Sequence, residues 1–287
     1  MVGPAMERAG TGKSSVHGRI ALVCLGAAAL LALCAAPASA TIKTVSKSLT
    51  INPGGTGSVA AKCAAGDVPL SAGFTVTGFN FNHGGIAPFT SQRLPSGSSA
   101  TGKNVGSVAG TLTDYAYCDT AARTIVTRSF HVPLAVKKTR AAAVMCPAGT
   151  VPLSGGYQFA NGAHGSGAAF RSRMIPGGWQ VAGYNGGPGQ SAFTVFVYCQ
   201  TNGPQLAAGS TTVNVPKFQR GSARVGCPPG SRVVSGGFDG HLTTKPQVRV
   251  AFPIGTIKDR NGWRANAVAG TDQASVKLTA YAYCEQL

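Results

Sequence analysis

Nothing in this chain limits its fold more than its threefold internal repeat, each copy of which carries a cysteine near its start and another at its end. Cys63-Ala-Ala-Gly66 leads to Leu70-Ser71-Ala72-Gly73-Phe74. Cys146-Pro-Ala-Gly149 leads to Leu153-Ser154-Gly155-Gly156-Tyr157, and Cys227-Pro-Pro-Gly230 to Val234-Ser235-Gly236-Gly237-Phe238. In each case the aromatic follows the cysteine by eleven residues. A second motif ends each copy: Leu112-Thr-Asp-Tyr-Ala-Tyr-Cys118, Phe193-Thr-Val-Phe-Val-Tyr-Cys199 and Leu278-Thr-Ala-Tyr-Ala-Tyr-Cys284. The units are therefore residues 41–120, 121–203 and 204–287, roughly 80 residues each.

Six cysteines allow fifteen pairings, and the economical one stays within each unit: Cys63–Cys118, Cys146–Cys199 and Cys227–Cys284. A unit of this size buries a modest fraction of its surface, so a covalent staple is physically useful. Zinc is the rival use of the thiols, but no cysteine pair has close ligand spacing.

The closing motif alternates with period two and is rich in β formers, which predicts a strand. The Ser-Gly-Gly-aromatic segment predicts a second strand, with glycine at a bulge or a close backbone approach. Short strand-like stretches precede Pro95, Pro176 and Pro253, and 124–130 and 211–215 place strands in the linkers. No amphipathic helix is visible after residue 40. The expected fold is all-β: three tandem disulfide-stapled repeats, closely packed in a β-prism-like arrangement or strung out as consecutive small β-sandwiches.

Residues 1–40 read as a secretory signal peptide: Arg8, Lys13 and Arg19, then an apolar run from Ile20 to Leu33, then Ala38-Ser39-Ala40 as a cleavage site. Cleavage after Ala40 removes Cys24 and Cys34 and leaves an exported chain with no membrane span, extracellular or associated with the cell surface. The 22 Lys and Arg against 7 acids in 41–287 leave a net charge of +15. Acids are too few for carboxylate catalysis as a theme. Asp114 and Asp119, flanking Cys118, read as solvated, and no acid recurs at matching positions in the three units.

At the quoted motifs the sequence resembles secreted repeat proteins common in actinobacteria, with a Cys-Pro-x-Gly opening, a Gly-Gly-aromatic, a central Trp and a Tyr-x-Tyr-Cys ending. It is similar, in threefold β architecture alone, to β-prism proteins such as vitelline membrane outer layer protein and plant lectins. The resemblance carries over no site residues.

Candidate functional residues come from the repeat itself. Ser71, Ser154 and Ser235 superficially look like hydrolase nucleophiles, but a serine found once per unit reads as a strand residue, and no catalytic residue is assigned. His83, His164 and His241 follow the Gly-aromatic in each unit and would form a metal site if the units met on an axis. Arg93, Arg173 and Arg249 stand in roughly equivalent places and suit an anion. Trp179 and Trp263 would stack on sugars if exposed, but a tryptophan in a small β unit is more often core. No cofactor is expected. The positive charge points to anionic cell-envelope or extracellular polymers as partners, or to a polysaccharide; the basic residues form no run long enough for specific nucleic-acid recognition, Lys137-Lys138-Thr139-Arg140 being the densest. The expected function is that of a secreted non-enzymatic cationic β-repeat protein, with a carbohydrate-binding lectin and an unrecognised secreted enzyme as alternatives.

Overall fold

A computed structural model describes residues 41–79, 84–160, 167–241, 250–270 and 275–287, the side chain of Val250 excepted. All regular structure in them is β, and each repeat supplies six strands. Repeat 1 gives β1 (Ile42–Ile51), β2 (Thr56–Lys62), β3 (Val68–Val76), β4 (Ile86–Leu94), β5 (Gly97–Asn104) and β6 (Gly110–Asp119). Repeat 2 gives β7 (Ile125–Leu134), β8 (Thr139–Met145), β9 (Thr150–Phe159), β10 (Gly167–Ile175), β11 (Gly178–Asn185) and β12 (Ser191–Thr201). Repeat 3 gives β13 (Ala207–Pro216), β14 (Arg220–Gly226), β15 (Ser231–Asp239), β16 (Val250–Lys258), β17 (Gly262–Gly270) and β18 (Ser275–Gln286). The linker segments form β7 and β13. Pro95 and Pro176 occupy turns, whereas Pro253 lies inside β16 at a bulge.

The strands do not sort by repeat. Three antiparallel six-stranded sheets run in the orders β1-β6-β3-β16-β17-β14 (sheet I), β2-β5-β4-β9-β12-β7 (sheet II) and β13-β18-β15-β10-β11-β8 (sheet III). Every repeat places its first, third and sixth strands in one sheet and its second, fourth and fifth in the next. The exchange is cyclic, so every sheet is half one repeat and half another. One hydrophobic core takes residues from all three sheets, which selects the closely packed arrangement over consecutive sandwiches. A single repeat has no closed core of its own.

The two half-sheets meet over only two residue pairs: Phe74 and Thr75 with Thr256 and Gly255, Tyr157 and Gln158 with Ser91 and Thr90, Phe238 and Asp239 with Ser172 and Arg171. The second glycine of each opening motif is required here. A Cβ on Gly73, Gly156 or Gly237 would lie 2.4–2.6 Å from a carbonyl oxygen of the partner strand. Past the junction the strands splay, and the tyrosine before each closing cysteine fills the gap. The hydroxyls of Tyr117, Tyr198 and Tyr283 accept the backbone N–H of Lys258, Arg93 and Met174 at 2.7, 3.0 and 2.7 Å. Those amides lack a strand partner there, and a buried unpaired amide is costly.

The disulfides pair the cysteines within each repeat, yet each bond joins two sheets. Cys63 follows β2 in sheet II and bonds Cys118 in sheet I; Cys146 follows β8 in sheet III and bonds Cys199 in sheet II; Cys227 follows β14 in sheet I and bonds Cys284 in sheet III. With every pair of sheets stapled once around a common core, the described residues form a three-sided prism.

Candidate functional site

The repeated serines lie on the prism axis. Leu70, Leu153 and Val234 are bulge residues of β3, β9 and β15, skipped by the ladder to β6, β12 and β18, and they form an apolar cluster of their own, one from each sheet. A bulge leaves its carbonyl unpaired within its sheet. Each is taken by the serine of another repeat: Ser71 Oγ donates to Val234 O (2.9 Å), Ser154 Oγ to Leu70 O (2.5 Å) and Ser235 Oγ to Leu153 O (2.6 Å). This closed ring of three hydrogen bonds commits every hydroxyl to a backbone oxygen, with no base in place.

Two acids expected to be solvated are buried. Asp119 follows the closing Cys118, and the same position is Gln200 in repeat 2 and Glu285 in repeat 3, so two of the acids do recur at matching places. Asp119 Oδ2 accepts from Arg123 Nε at 2.7 Å, and the Arg123 Nη atoms reach Gln200 (2.6 Å) and both Glu285 oxygens (2.9 and 2.7 Å). Arg232 joins Glu285 at 2.7 Å and Asp119 at 3.3 Å. Burial alone would raise the Glu285 carboxyl; the hydrogen bonds from Arg123 and Arg232 outweigh it and hold the group below its ordinary value. The network spans all three repeats. Comparing the residue after each closing cysteine was the sequence signal that could have found it.

Asp114 is the second buried acid. Its Oδ2 accepts the Ala61 N–H (2.8 Å) and Ser98 Oγ (2.7 Å), while Oδ1 has no partner. Burial raises its pKa to about 6, against the hydrogen bonds from Ala61, Ser98 and the Tyr115 backbone. It belongs to a set of coordinated departures in repeat 1. Trp179 and Trp263 lie flat against Gly155 and Gly236, where a Cβ would be 2.2 and 2.1 Å from the indole. At the matching register repeat 1 has Ser98 in place of the tryptophan and Ala72 in place of the glycine, and Asp114 where the others have Val195 and Ala280.

The residues picked out by the repeat pattern fare unevenly. Trp179 and Trp263 are each 1% exposed, donate Nε1–H to Ser172 Oγ (2.9 Å) and Thr256 Oγ1 (2.6 Å), and stand edge-on to Tyr283 and Tyr117. They are core residues, closed to a surface sugar. Arg93 and Arg173 are not equivalent: the tyrosine contacts align Arg93 with Met174 and Lys258, one position away on the strand. Arg93 Nε donates to Pro69 O (2.5 Å) and its guanidinium stacks on Tyr198. Burial lowers its pKa, against the pull of Tyr198. Arg173, half-buried, stacks on Tyr281 and donates to that hydroxyl at 3.1 Å. Arg249, His83 and His164, like residues 1–40, lie outside the described residues. His241 Nε2 is 3.0 Å from Thr279 Oγ1. Among the described residues no group of three His, Cys, Asp or Glu could hold a metal ion.

What faces solvent is positive. Of the described acids, Asp67, Asp119, Asp239, Asp259 and Glu285 are ion-paired, and Asp114 is buried. Lys47, Lys62, Arg128, Lys137, Lys138, Arg140, Lys217, Arg220 and Lys277 are exposed. Lys137, Lys138 and Arg140 lie together at the corner where β7 turns into β8. A surface depression of about 260 Å³ opens there. No helix long and apolar enough to cross a membrane occurs among the described residues. Three disulfides belong to an oxidising, extracytoplasmic setting. The fold thus defines a class, a strand-exchanged, disulfide-stapled β-prism built from three repeats. No protein-family model matches the chain, and a search of curated proteins finds no relative.

Proposed function

We propose that this protein is a secreted, non-enzymatic binding protein that associates with anionic polymers of the cell envelope or extracellular space, with residues 1–40 directing export. One observation carries the reading: the described acids are consumed in ion pairs or buried, while basic side chains of all three repeats stay in solvent. The surplus charge therefore acts outward, and three linked units multiply weak contacts. The serine ring and the buried tryptophans weigh against a hydrolase and against aromatic sugar stacking.

The test is binding of the oxidised protein to cell-wall fragments and acidic polysaccharide across a salt series from about 50 to 500 mM, where the screening length shortens severalfold. Binding that collapses with salt is expected. Salt-resistant binding competed by one free neutral sugar would establish a lectin instead.

A further inference from the structure

The three corners of the prism share one strand register, and at one position of it two of them have glycine and the third does not. At each, an edge strand of one sheet turns into the edge strand of the next: β1 into β2, β7 into β8, β13 into β14. In register, Gly57 of β2 (opposite Gly102) matches Gly221 of β14 (opposite Ala267) and Arg140 of β8 (opposite Gly183). The two glycines are there because the corner closes on them. A Cβ on Gly57 would be 2.6 Å from Leu49 Cδ2 and 3.0 Å from Ile51; one on Gly221 would be 2.3 Å from Val215. Arg140 cannot be accommodated that way. At its corner the depression opens instead, lined by Pro133, Leu134, Ala135, Lys138, Arg140 and Gln190 among others. Leu134 is the counterpart of Ile51 and Val215, so the wall that seals the other corners is here the floor of a recess.

The opening replaces a glycine with the one side chain that both holds the corner apart and brings a fixed positive charge. Arg140 Nη1 donates to Pro133 O at 3.0 Å, which anchors the guanidinium and leaves its remaining N–H groups available. Lys138 adds an ammonium at the same recess. A guanidinium fork and a point charge on one recess suit a tetrahedral oxyanion with acceptors in several directions. The volume, about 260 Å³, lies below the roughly 300–1,000 Å³ of pockets for drug-sized ligands and suits one phosphate with a short substituent.

Resting on the polyanion reading above, we propose that the β7–β8 corner is the specific site of this protein, and that it binds the phosphate group of a polyol- or sugar-phosphate polymer. The other two corners, sealed by glycine, do not share this role.

The probes are glycerol 1-phosphate and polyglycerol phosphate, titrated calorimetrically into the oxidised full protein at constant ionic strength. Vesicles of anionic phospholipid serve as a separate arm. Arg140→Gly restores the residue type of the other corners and is expected to fold with an unfolding midpoint only slightly below the parent's; Lys138→Gln leaves the corner geometry intact. Each is expected to weaken both probes about tenfold. Lys47→Gln and Lys277→Gln, which remove one exposed charge elsewhere, should change affinity less than about twofold. Equal weakening by all four variants, or no glycerol phosphate binding by the parent, overturns the site. So does a preference for vesicles that survives Arg140→Gly. Polymer binding that persists unchanged in Arg140→Gly removes this site but leaves the general polyanion function standing; absence of salt-sensitive binding to any polymer removes both.

Discussion

Asp114 should make this protein more stable in mild acid than at neutral pH. The carboxyl is inaccessible to solvent, its Oδ1 has no hydrogen-bond partner, and no cation among the described residues pairs with it. Lys47, its register partner on β1, is exposed. Burial therefore favours the protonated form, and the pKa rises from 3.8 to about 6. A carboxyl whose folded pKa is raised binds its proton more tightly in the folded state. Its contribution to stability is complete below the unfolded value near 3.8 and is lost as pH rises through about 6. Across that window the change is worth about 3 kcal/mol. Urea unfolding of the oxidised protein between pH 4 and pH 7, followed by tryptophan fluorescence, measures it. Asp114→Asn cannot ionise, so the difference between the two proteins cancels the histidines and the other acids. Glu285, held below its ordinary value, works in the opposite sense and loses its stabilisation only at lower pH. The expected result is a difference that grows by about 2.4 kcal/mol from pH 4 to 7 in favour of the variant, the rest of the full change falling below pH 4. Parallel stability curves would show that Asp114 ionises at its usual pH, and the account of its burial would fall.

Three further outcomes follow from the same structure. Gly155→Ala or Gly236→Ala drives a Cβ into the indole of Trp179 or Trp263 and should cost about 1–3 kcal/mol or more, whereas Gly226→Ala, whose nearest new contact lies at 4.0 Å, should cost little; thermal unfolding of the three variants decides. Arg123→Ala leaves Asp119 and Glu285 short of their main partner and should destabilise by about 3–5 kcal/mol. Arg123→Lys should recover only part of this, because an ammonium cannot span both carboxylates. Removing the Cys63–Cys118 bridge as a double alanine variant should lower stability by about 4 kcal/mol in the loop-entropy picture, read as a shifted urea midpoint with the other two bridges intact.

Much of the fold was legible because it is written three times. The all-β class, the strand nature of both motifs, the glycine close approach and the pairing of cysteines within repeats all follow from local pattern and spacing. Strand alternation says which residues face inward; it does not say which repeat supplies the neighbouring strand. The cyclic exchange therefore belongs to tertiary structure alone, and with it the fact that Cys63 and Cys118 sit in different sheets. For the same reason Ser71, Ser154 and Ser235 could be recognised as structural but not as a hydrogen-bonded ring, since each one's partner is a bulge carbonyl in another repeat.

The candidate site divides in the same way. Lys137-Lys138-Thr139-Arg140 stands out as the densest basic stretch in the sequence, and the overall charge was countable. That Arg140 occupies a glycine's place, and so opens one corner of three, depends on superposing β8 on β2 and β14, which only their register reveals. The burial of Trp179 and Trp263 was the expected place for tryptophan in a small β unit, but that of Asp114 and Asp119 was hidden, because composition fixes how many side chains can be sheltered but only the closure of three sheets on a common axis decides which ones are.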